Sequence, residues 1–182
     1  MNMIEKITLI IPSHNDRQRL LELLYKVPNW KALPNEIIVV DSSKEKIEIP
    51  QSLELSMRTI NINLVFIYEK NLYPGHARNI GISNSSNTLL AFLDTFTEPS
   101  DNWLASGLSI MNKNIYQGVW GKTYYSANSF TPQIIRACTY GAKPIKTFPG
   151  SIFKKEVFFR CGLFIEFVRA GEDADWMART KI

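Results

Sequence analysis

Short apolar runs that end in polar residues are the feature that most constrains the fold of this chain. The runs cover residues 7–11, 37–40, 64–68 and 88–93, and aliphatic and aromatic side chains make up most of them. Such runs are typical of strands that are buried on both faces of a parallel sheet. Leucines at helical spacing separate the first two runs, which predicts a βαβ unit. The sequence therefore predicts an α/β domain with a mostly parallel central sheet flanked by helices.

The second half of the chain gives weaker patterns. We predict a strand at Val119-Trp120, a loop-rich segment with a short helix over residues 131–149, a short helix over residues 154–159 and a last helix that begins at Glu172. The sequence shows no linker, internal repeat or low-complexity stretch, so residues 1–182 are expected to form one domain.

Polar residues follow three of the predicted strands, at the point where each strand ends. They are Ser13-His14-Asn15, Asp41-Ser42-Ser43 and Asp94. Ligands of open α/β sheets bind at the carboxyl ends of the strands, where neighbouring ends converge. The sequence therefore predicts a binding crevice at this edge of the sheet.

Charge and composition limit the partners that we expect. Lys and Arg number 21 against 17 Asp and Glu, a net charge of +4 that suits an anionic small ligand or a membrane surface, although a solvated basic surface explains it equally well. The sequence has no dense basic stripe interleaved with aromatic residues, so nucleic acid is not an expected partner.

The expected location follows from the cysteines and the apolar runs. Cys138 and Cys161 are expected to be buried free thiols in a reducing cytosol, with a single disulfide as the open alternative. Residues 1–6 do not resemble a signal peptide, and no window approaches 18 apolar residues. We therefore expect a cytoplasmic protein, with peripheral association with the cytoplasmic membrane as a further expectation.

Four segments occur along the chain in this order: ITLIIPSHN, EIIVVDSS, GHARNIGISNSSNTLLAFLDTFTEP and GEDADWMAR. Together they resemble the motifs of the family 2 glycosyltransferases with the GT-A fold, a Rossmann-like sandwich, and the resemblance covers residues 7 to about 180. It implies binding of a nucleotide-activated sugar, commonly a UDP-sugar. It also implies transfer of the sugar, with inversion at the anomeric carbon, to a hydroxyl of a saccharide or lipid-linked acceptor.

The resemblance assigns donor-binding roles to individual residues. For Asp41, the structural alternative is a turn or cap residue. For Arg78, the structural alternative is a cation on the protein surface. The resemblance implies that Pro12, Ser13 and Asn15 line the base pocket, that Asp41 accepts the uracil N–H, that Arg78 near Gly75 binds the diphosphate, and that Gly150 and Ser151 lie on the donor-sugar side.

The segment Phe92–Pro99 raises the question of a metal ion. The resemblance makes Asp94 the first residue of an Asp-x-Asp motif, whose last Asp commonly ligates Mn²⁺ or Mg²⁺. Residues i and i+2 at a strand end point the same way, and hard cations prefer oxygen ligands. Phe96 occupies the second position here. Three accounts stay open: Glu98 joins Asp94 as a ligand, the enzyme needs no protein-held metal, or the protein is catalytically impaired.

The motif Gly171–Arg179 supplies candidates for the catalytic base. An inverting transfer needs a base that takes the acceptor proton, and the resemblance assigns this role to the Glu-Asp pair. We expect Asp173 to be the base, with Glu172 as the second candidate. Asp175 and Arg179 are spaced as an i,i+4 ion pair.

Two functions from different classes remain open at this stage. The first is an inverting glycosyltransferase. The second is a nucleotide-sugar-binding module that is catalytically impaired and needs a partner protein or a missing C-terminal region, because family members usually continue beyond the Glu-Asp motif whereas this chain stops at Ile182. Another nucleotide enzyme is disfavoured, since GxGxxG does not follow the first strand and GxxxxGK[ST] is absent.

Overall fold

A six-stranded mixed sheet forms the centre of the protein in the computed structural model, which describes residues 6–113, 115–126, 130–139, 141 and 143–180. The strands are β1 (Ile7–Ser13), β2 (Glu36–Asp41), β3 (Asn63–Tyr68), β4 (Leu89–Phe92), β5 (Gly118–Thr123) and β6 (Ile145–Lys154). The helices are α1 (Arg17–Lys26), α2 (Gln51–Thr59), α3 (Pro74–Asn84), α4 (Trp103–Met111), α5 (Phe130–Thr139), α6 (Lys155–Cys161) and α7 (Glu172–Arg179), and a 3-10 helix (Val27–Asn29) follows α1.

The sheet has the strand order β3-β2-β1-β4-β6-β5. The four strands from β3 to β4 are parallel to their neighbours, whereas β6 is antiparallel to both β4 and β5. The predicted α/β architecture, a mostly parallel sheet flanked by helices, is confirmed.

Alternate residues of the parallel strands are buried on opposite faces of the sheet. Leu9 and Val39 share one core with buried residues of α1, α2 and α4. Ile10 packs in a second core with residues of α6 and α7, and Val40 packs against Ala77 of α3. Helices on both faces explain why these strands are continuous apolar runs, because neither face of the strand meets water.

Strand β6 differs most from the sequence prediction. We expected a loop-rich segment with a short helix over residues 131–149 and a helix over residues 154–159. The short helix is present as α5, but β6 begins at Ile145 and extends through Lys154, and α6 begins at Lys155. Pro149 and Gly150 lie inside this strand, and both residue types normally interrupt one. Gly150 has a φ of +84°, and the pairing with β5 shifts register between Val119 and Gly121. The irregular pairing accommodates residues that mark a loop in the sequence.

Two further observations bear on the location expected from the sequence. Among the described residues, no helix combines the length and the apolar character that crossing a bilayer requires. Cys138 and Cys161 are both free thiols, but Cys138 is exposed and Cys161 is half-buried. The prediction that both are buried is therefore wrong.

Candidate functional site

A cleft of about 760 Å³ lies at the carboxyl ends of the parallel strands. Ser13 pairs with Asp41 and Ile10 pairs with Phe92, so β1, β2 and β4 end side by side. The start of α3 and the segment before α7 complete the lining. The lining residues are Pro12, Ser13, His14, Ser42, Asn71, Leu72, Tyr73, Pro74, Ala77, Arg78, Asp94, Thr95, Phe96, Arg169, Ala170, Gly171, Glu172 and Asp173.

Asp41, the expected uracil acceptor, lies beneath the cleft surface. Its exposed fraction is 0%, and its two carboxylate oxygens accept hydrogen bonds from the Ser43 hydroxyl at 2.6 Å and from the Ile47 amide at 3.4 Å. Asp41 is not among the residues that line the cleft. In this conformation the carboxylate organises the turn after β2, and Ser42 is the residue of this turn that faces the cleft.

Asn15 joins the loops that follow β1 and β2. Its φ is +53°, in the left-handed region that asparagine tolerates better than most residues. Its side-chain oxygen accepts a hydrogen bond from the Lys44 backbone amide at 3.0 Å. Its backbone amide donates to the Ser43 hydroxyl at 2.7 Å. The ring of His14 is held by Ser42, whose carbonyl oxygen lies 2.9 Å from His14 Nδ1. Asn15 therefore shapes the rim of the cleft without lining it.

Ser13 presents a hydroxyl without a partner among the described residues. The residue is buried and lines the cleft, and its backbone carbonyl accepts the Ser42 amide at 2.9 Å. A buried hydroxyl without a hydrogen bond is costly, which suits a group that is completed by a ligand. Ser13 therefore keeps an unbonded polar group in the cleft lining, whereas Asp41 is not among the lining residues.

Arg78 connects the end of β4 to the start of α7. Its Nη2 donates to Asp94 Oδ1 at 2.8 Å, and its Nη1 donates to Glu172 Oε1 at 2.5 Å. The guanidinium also lies 5.4 Å from the ring centroid of Phe148 and 5.7 Å from that of Phe164, within cation–π range. The side chain is 5% exposed. Arg78 was expected to bind a diphosphate, but the structure uses it to hold two carboxylates.

The charge of Arg78 is secured by these partners. Burial is the largest single influence on its pKa and acts to lower it, while the carboxylates of Asp94 and Glu172 act in the opposite direction and prevail, so the pKa of Arg78 is raised above its ordinary value. Its Nε is buried and has no partner among the described residues. The two carboxylates therefore stabilise the charged form of the guanidinium.

The two acidic residues at the start of α7 point in different directions. Glu172 is buried against Arg78, whereas Asp173 is only half-buried and lines the cleft. Asp173 Oδ1 accepts the Ala174 amide at 2.8 Å. Gly171, with a φ of +92°, sets the chain direction just before this helix. Of the two candidates for the base, Asp173 is the one with a carboxylate that is not bound to Arg78.

The expected metal ligands are not brought together. Asp94 lines the cleft, but Glu98 is 86% exposed and pairs with Lys26 at 3.8 Å in a neighbouring hollow. Phe96 is 68% exposed, and the Arg19 guanidinium lies 4.3 Å from its ring centroid. Within the part of the chain that the structure describes, no three His, Cys, Asp or Glu side chains are grouped to hold an ion. Asp94 and Glu98 therefore do not form the expected Mn²⁺ or Mg²⁺ site together.

Gly150 and Ser151 lie in β6 and do not line the cleft. The Ser151 hydroxyl accepts the Gly121 amide at 2.8 Å and donates to the Thr147 carbonyl at 3.0 Å. A side chain at Gly121 would collide with the carbonyl oxygen of Pro149, so β5 needs glycine there. In this structure the predicted donor-sugar residues stabilise the pairing of β5 with β6.

Three tryptophans that could in principle stack on a sugar, Trp103, Trp120 and Trp176, lie in the cores or pack against them. Trp176 is fully buried and its indole donates to the Gly162 carbonyl at 2.9 Å. Trp120 packs against the same core as Trp176, and Trp103 packs edge-on against Trp30. None of the three lines the cleft. The aromatic side chains at the cleft are instead Tyr73 and Phe96.

Sequence reasoning missed Arg169 and the segment before α3. Arg169 lines the cleft, is exposed, and forms no hydrogen bond or ion pair with any described residue. Asn71, Leu72 and Tyr73 also line the cleft. Their position directly after β3 could have indicated a site at the strand ends, but nothing in the sequence distinguishes Arg169 from other arginines.

Solved structures of the same fold include two with bound nucleotide sugars. The structure of S. aureus TarS 1-349 in complex with UDP-GlcNAc has a TM-score of 0.67 and 17% identity, with 96% of this chain and 52% of that chain covered. The mannosyltransferase PcManGT from Pyrobaculum calidifontis, in complex with GDP-Man and Mn²⁺, has a TM-score of 0.64 and 18% identity, with 94% of this chain and 50% of that chain covered. These similarities establish the fold of the chain as GT-A.

Related proteins of similar sequence are named as glycosyltransferases. A protein of Rickettsia bellii named as an uncharacterized glycosyltransferase is 28% identical over 183 residues, which cover 92% of this chain and 25% of that protein. The glycosyltransferase AglE of Haloferax volcanii is 24% identical over 186 residues, which cover 95% of this chain and 60% of that protein. The chain thus spans between a quarter and about three fifths of the length of these relatives.

The family model for glycosyl transferase family 2 matches residues 8–167. The match includes Arg78 and Asp94 and ends before Glu172 and Asp173. It covers most of the sheet and the cleft that the strand ends form. This chain belongs to glycosyl transferase family 2.

Proposed function

We propose that this protein is an inverting glycosyltransferase that moves a sugar from a nucleoside-diphosphate sugar to the hydroxyl of a saccharide or lipid-linked acceptor. Family membership and the nucleotide sugars bound to TarS and PcManGT support the reaction class. The cleft volume of about 760 Å³ lies in the range of small-ligand sites. The proposal takes residues 1–182 as one donor-binding domain.

One observation carries the proposal: the neighbouring carboxylates of α7 have different surroundings. Arg78 holds Glu172 in the protein interior, and Asp173 faces the cleft. A base must keep a carboxylate oxygen available for the acceptor proton, so Asp173 meets this requirement and Glu172 does not. Glu172 instead fixes the start of the helix on which Asp173 lies.

The chemistry needs one proton transfer and one displacement. The acceptor oxygen attacks the anomeric carbon from the face opposite the diphosphate, and its proton passes to the Asp173 carboxylate. The bond between that carbon and the diphosphate oxygen breaks, and its electron pair leaves with the diphosphate. Inversion follows from this single in-line displacement. Binding both reactants in one cleft supplies the alignment that the step requires.

The nucleoside is proposed to lie over the ends of β1 and β2. The free hydroxyl of Ser13, together with Ser42 and His14, offers polar groups to a base or a ribose. Uracil is the base that the family resemblance implies, and guanine, the base of the GDP-Man bound to PcManGT, is the alternative that the test must include. The expected cytoplasmic location and peripheral membrane association stay predictions.

Asp173→Asn separates catalysis from binding. The amide cannot accept the acceptor proton, so release of UDP or GDP from a panel of UDP-sugars and GDP-mannose should fall about a hundredfold or more. Calorimetric titration should give a nucleotide Kd within about twofold of the wild type, because the base does not hold the nucleotide.

Asp175→Asn is the matched control on the same helix. Asp175 pairs with Arg179 at 2.9 Å on the protein surface and does not line the cleft, so turnover should be unchanged. Equal loss of turnover in both variants would contradict the assignment of Asp173. Absence of UDP and GDP binding by the wild type would contradict the function itself.

A second candidate function is favoured by Phe96. A nucleotide-sugar-binding module without catalytic activity would tolerate an exposed aromatic ring where the family commonly has a carboxylate. Nucleotide binding without turnover on any donor, with or without added partner protein, would support this second function.

A further inference from the structure

We propose that Arg169 neutralises the leaving diphosphate directly, in place of a divalent cation held by the segment 94–98. This inference rests on the proposed function, and it assigns to the same cleft a residue that the sequence did not indicate. Arg169 lies in the exposed segment that leads into α7, four residues before Asp173.

The reaction creates negative charge that the protein must meet. When the bond from the anomeric carbon to the diphosphate breaks, the electron pair stays on the diphosphate oxygen. A cation or a set of N–H donors aimed at that oxygen stabilises the transition state. An arginine is suited to this task because its planar guanidinium binds two phosphate oxygens at once.

The segment 94–98 does not supply a metal site. Asp94 already accepts a hydrogen bond from Arg78, and the position two residues later carries a phenyl ring. Glu98 is paired with Lys26 and lines a neighbouring hollow rather than the cleft. Mg²⁺ at a phosphate site is bound by one or two carboxylates together with the substrate phosphates, and this segment offers the cleft only Asp94, whose Oδ1 is already held by Arg78.

Among the residues that the structure describes, Arg78 and Arg169 are the arginines that line the cleft, and of these two Arg169 is available to a ligand. Arg78 is 5% exposed, and both of its terminal nitrogens donate to carboxylates. Its remaining nitrogen, Nε, is buried beneath the surface. Arg169 is exposed at the cleft and makes no hydrogen bond or ion pair among the described residues. A diphosphate that enters the cleft therefore meets the guanidinium of Arg169 as its free positive charge.

Other groups that line the cleft near Arg169 also favour a bound anion. Tyr73 and Pro74 place the start of α3 in the cleft wall, where the positive end of the helix dipole favours an anion. Ala170 and Gly171, which follow Arg169, also line the cleft, and these small residues do not cover the guanidinium with bulk of their own. The helix end is a supporting feature, and the guanidinium is the group that carries the charge.

The test measures binding of UDP and uridine, and of GDP and guanosine, to the 182-residue protein by calorimetry. Each titration is run in EDTA and again with Mn²⁺. In EDTA the wild type should bind the diphosphate more tightly than the nucleoside, and Mn²⁺ should change the diphosphate Kd by less than about twofold. Arg169→Gln should weaken diphosphate binding about tenfold or more and leave nucleoside binding unchanged, and Arg169→Lys should retain part of the affinity.

Arg160→Gln is the matched control. Arg160 is an exposed arginine in α6 that does not line the cleft, so its substitution should leave both Kd values unchanged. Diphosphate binding by Arg169→Gln that equals wild-type binding would overturn the inference. A wild type that binds the diphosphate no more tightly than the nucleoside until Mn²⁺ is added would also overturn it, although the proposed function would stand. Failure of every nucleotide to bind would overturn the proposed function and the inference together.

Discussion

Arg78 occupies a place where an arginine is costly unless it is paired. Its guanidinium is buried between two carboxylates and two aromatic rings. Desolvation offsets much of the attraction in a buried ion pair, so the pair need not add net stability over an apolar replacement. Removal of one member is different, because it leaves a buried charge without a partner.

Arg78→Met should lower the free energy of unfolding by about 3 kcal/mol or more, because Glu172 stays buried without its cation. The double variant Arg78→Met/Glu172→Met should lose less, since Asp94, with a side chain that is 36% exposed, is still reached by water. Urea unfolding followed by circular dichroism measures both. A double variant less stable than the single variant would show that the ion pair stabilises the fold on its own account.

The contribution of the Arg78 charge has a defined pH range. Its folded-state pKa is raised, so this stabilisation is fully present below the ordinary arginine pKa and is lost only as the pH rises through the higher, folded-state value. Between neutral and mildly alkaline pH, the arginine therefore adds no slope to the unfolding free energy.

The sequence indicates individual site residues only where a motif names them. Ser13, Arg78, Asp94 and Asp173 line the cleft as expected, but the role of Arg78 depends on partners that lie 16 and 94 positions away. The sequence does not show which polar side chains are buried either. Asp41 ends a strand as expected, yet its carboxylate points into the protein. Residue type predicts chemistry, and only the fold decides which group that chemistry meets.

At the scale of elements, helix α3 of the third motif contacts two other parts of the fold. Asn79 donates to the Phe164 carbonyl at 2.9 Å and accepts the Phe164 amide at 3.0 Å, which replaces a missing backbone pairing. Gly81 lies against Ile10 of β1, where a side chain would collide. One helix therefore binds the sheet on one side and the segment before α7 on the other.

Gly75→Ala should destabilise the protein by about 2 kcal/mol or more, because a methyl group there would collide with the backbone carbonyl of Ile165. Gly107→Ala in α4 is the matched control: its nearest neighbour is the flexible end of Ile152, and alanine favours a helix. Thermal unfolding compares the two variants. Equal loss of stability in both would contradict the close approach of α3 to residue 165.

The elements that the sequence predicts best are those with continuous apolar runs. β1 to β4 are found where the runs are, because burial on both faces requires such runs. Helix α2 was missed, since only Leu53 and Met57 of its residues are buried and two apolar positions give little periodicity. β6 was missed because its Pro149 and Gly150 resemble a turn when the partner strand is not known.

At the scale of the whole molecule, nucleotide binding should raise the free energy of unfolding and the Tm. A ligand at about a hundred times its Kd adds about 2.7 kcal/mol to the free energy of unfolding, which corresponds to roughly 5–10 °C in Tm for a chain of this size. UDP or GDP should give such a shift in the wild type and an equal one in Asp173→Asn. A shift lost only in Asp173→Asn would mean that this residue holds the nucleotide.

The bridge made by Arg78 also decides where Asp173 lies. Arg78 and Asp94 carry opposite charges that cancel, and Glu172, 94 positions after the arginine, adds a second negative charge to the group. Asp173 is the next residue of the same helix, so the contact that seats Glu172 also holds Asp173 at the cleft. A substitution that releases Glu172 from Arg78 should therefore displace Asp173 from the cleft without changing Asp173 itself.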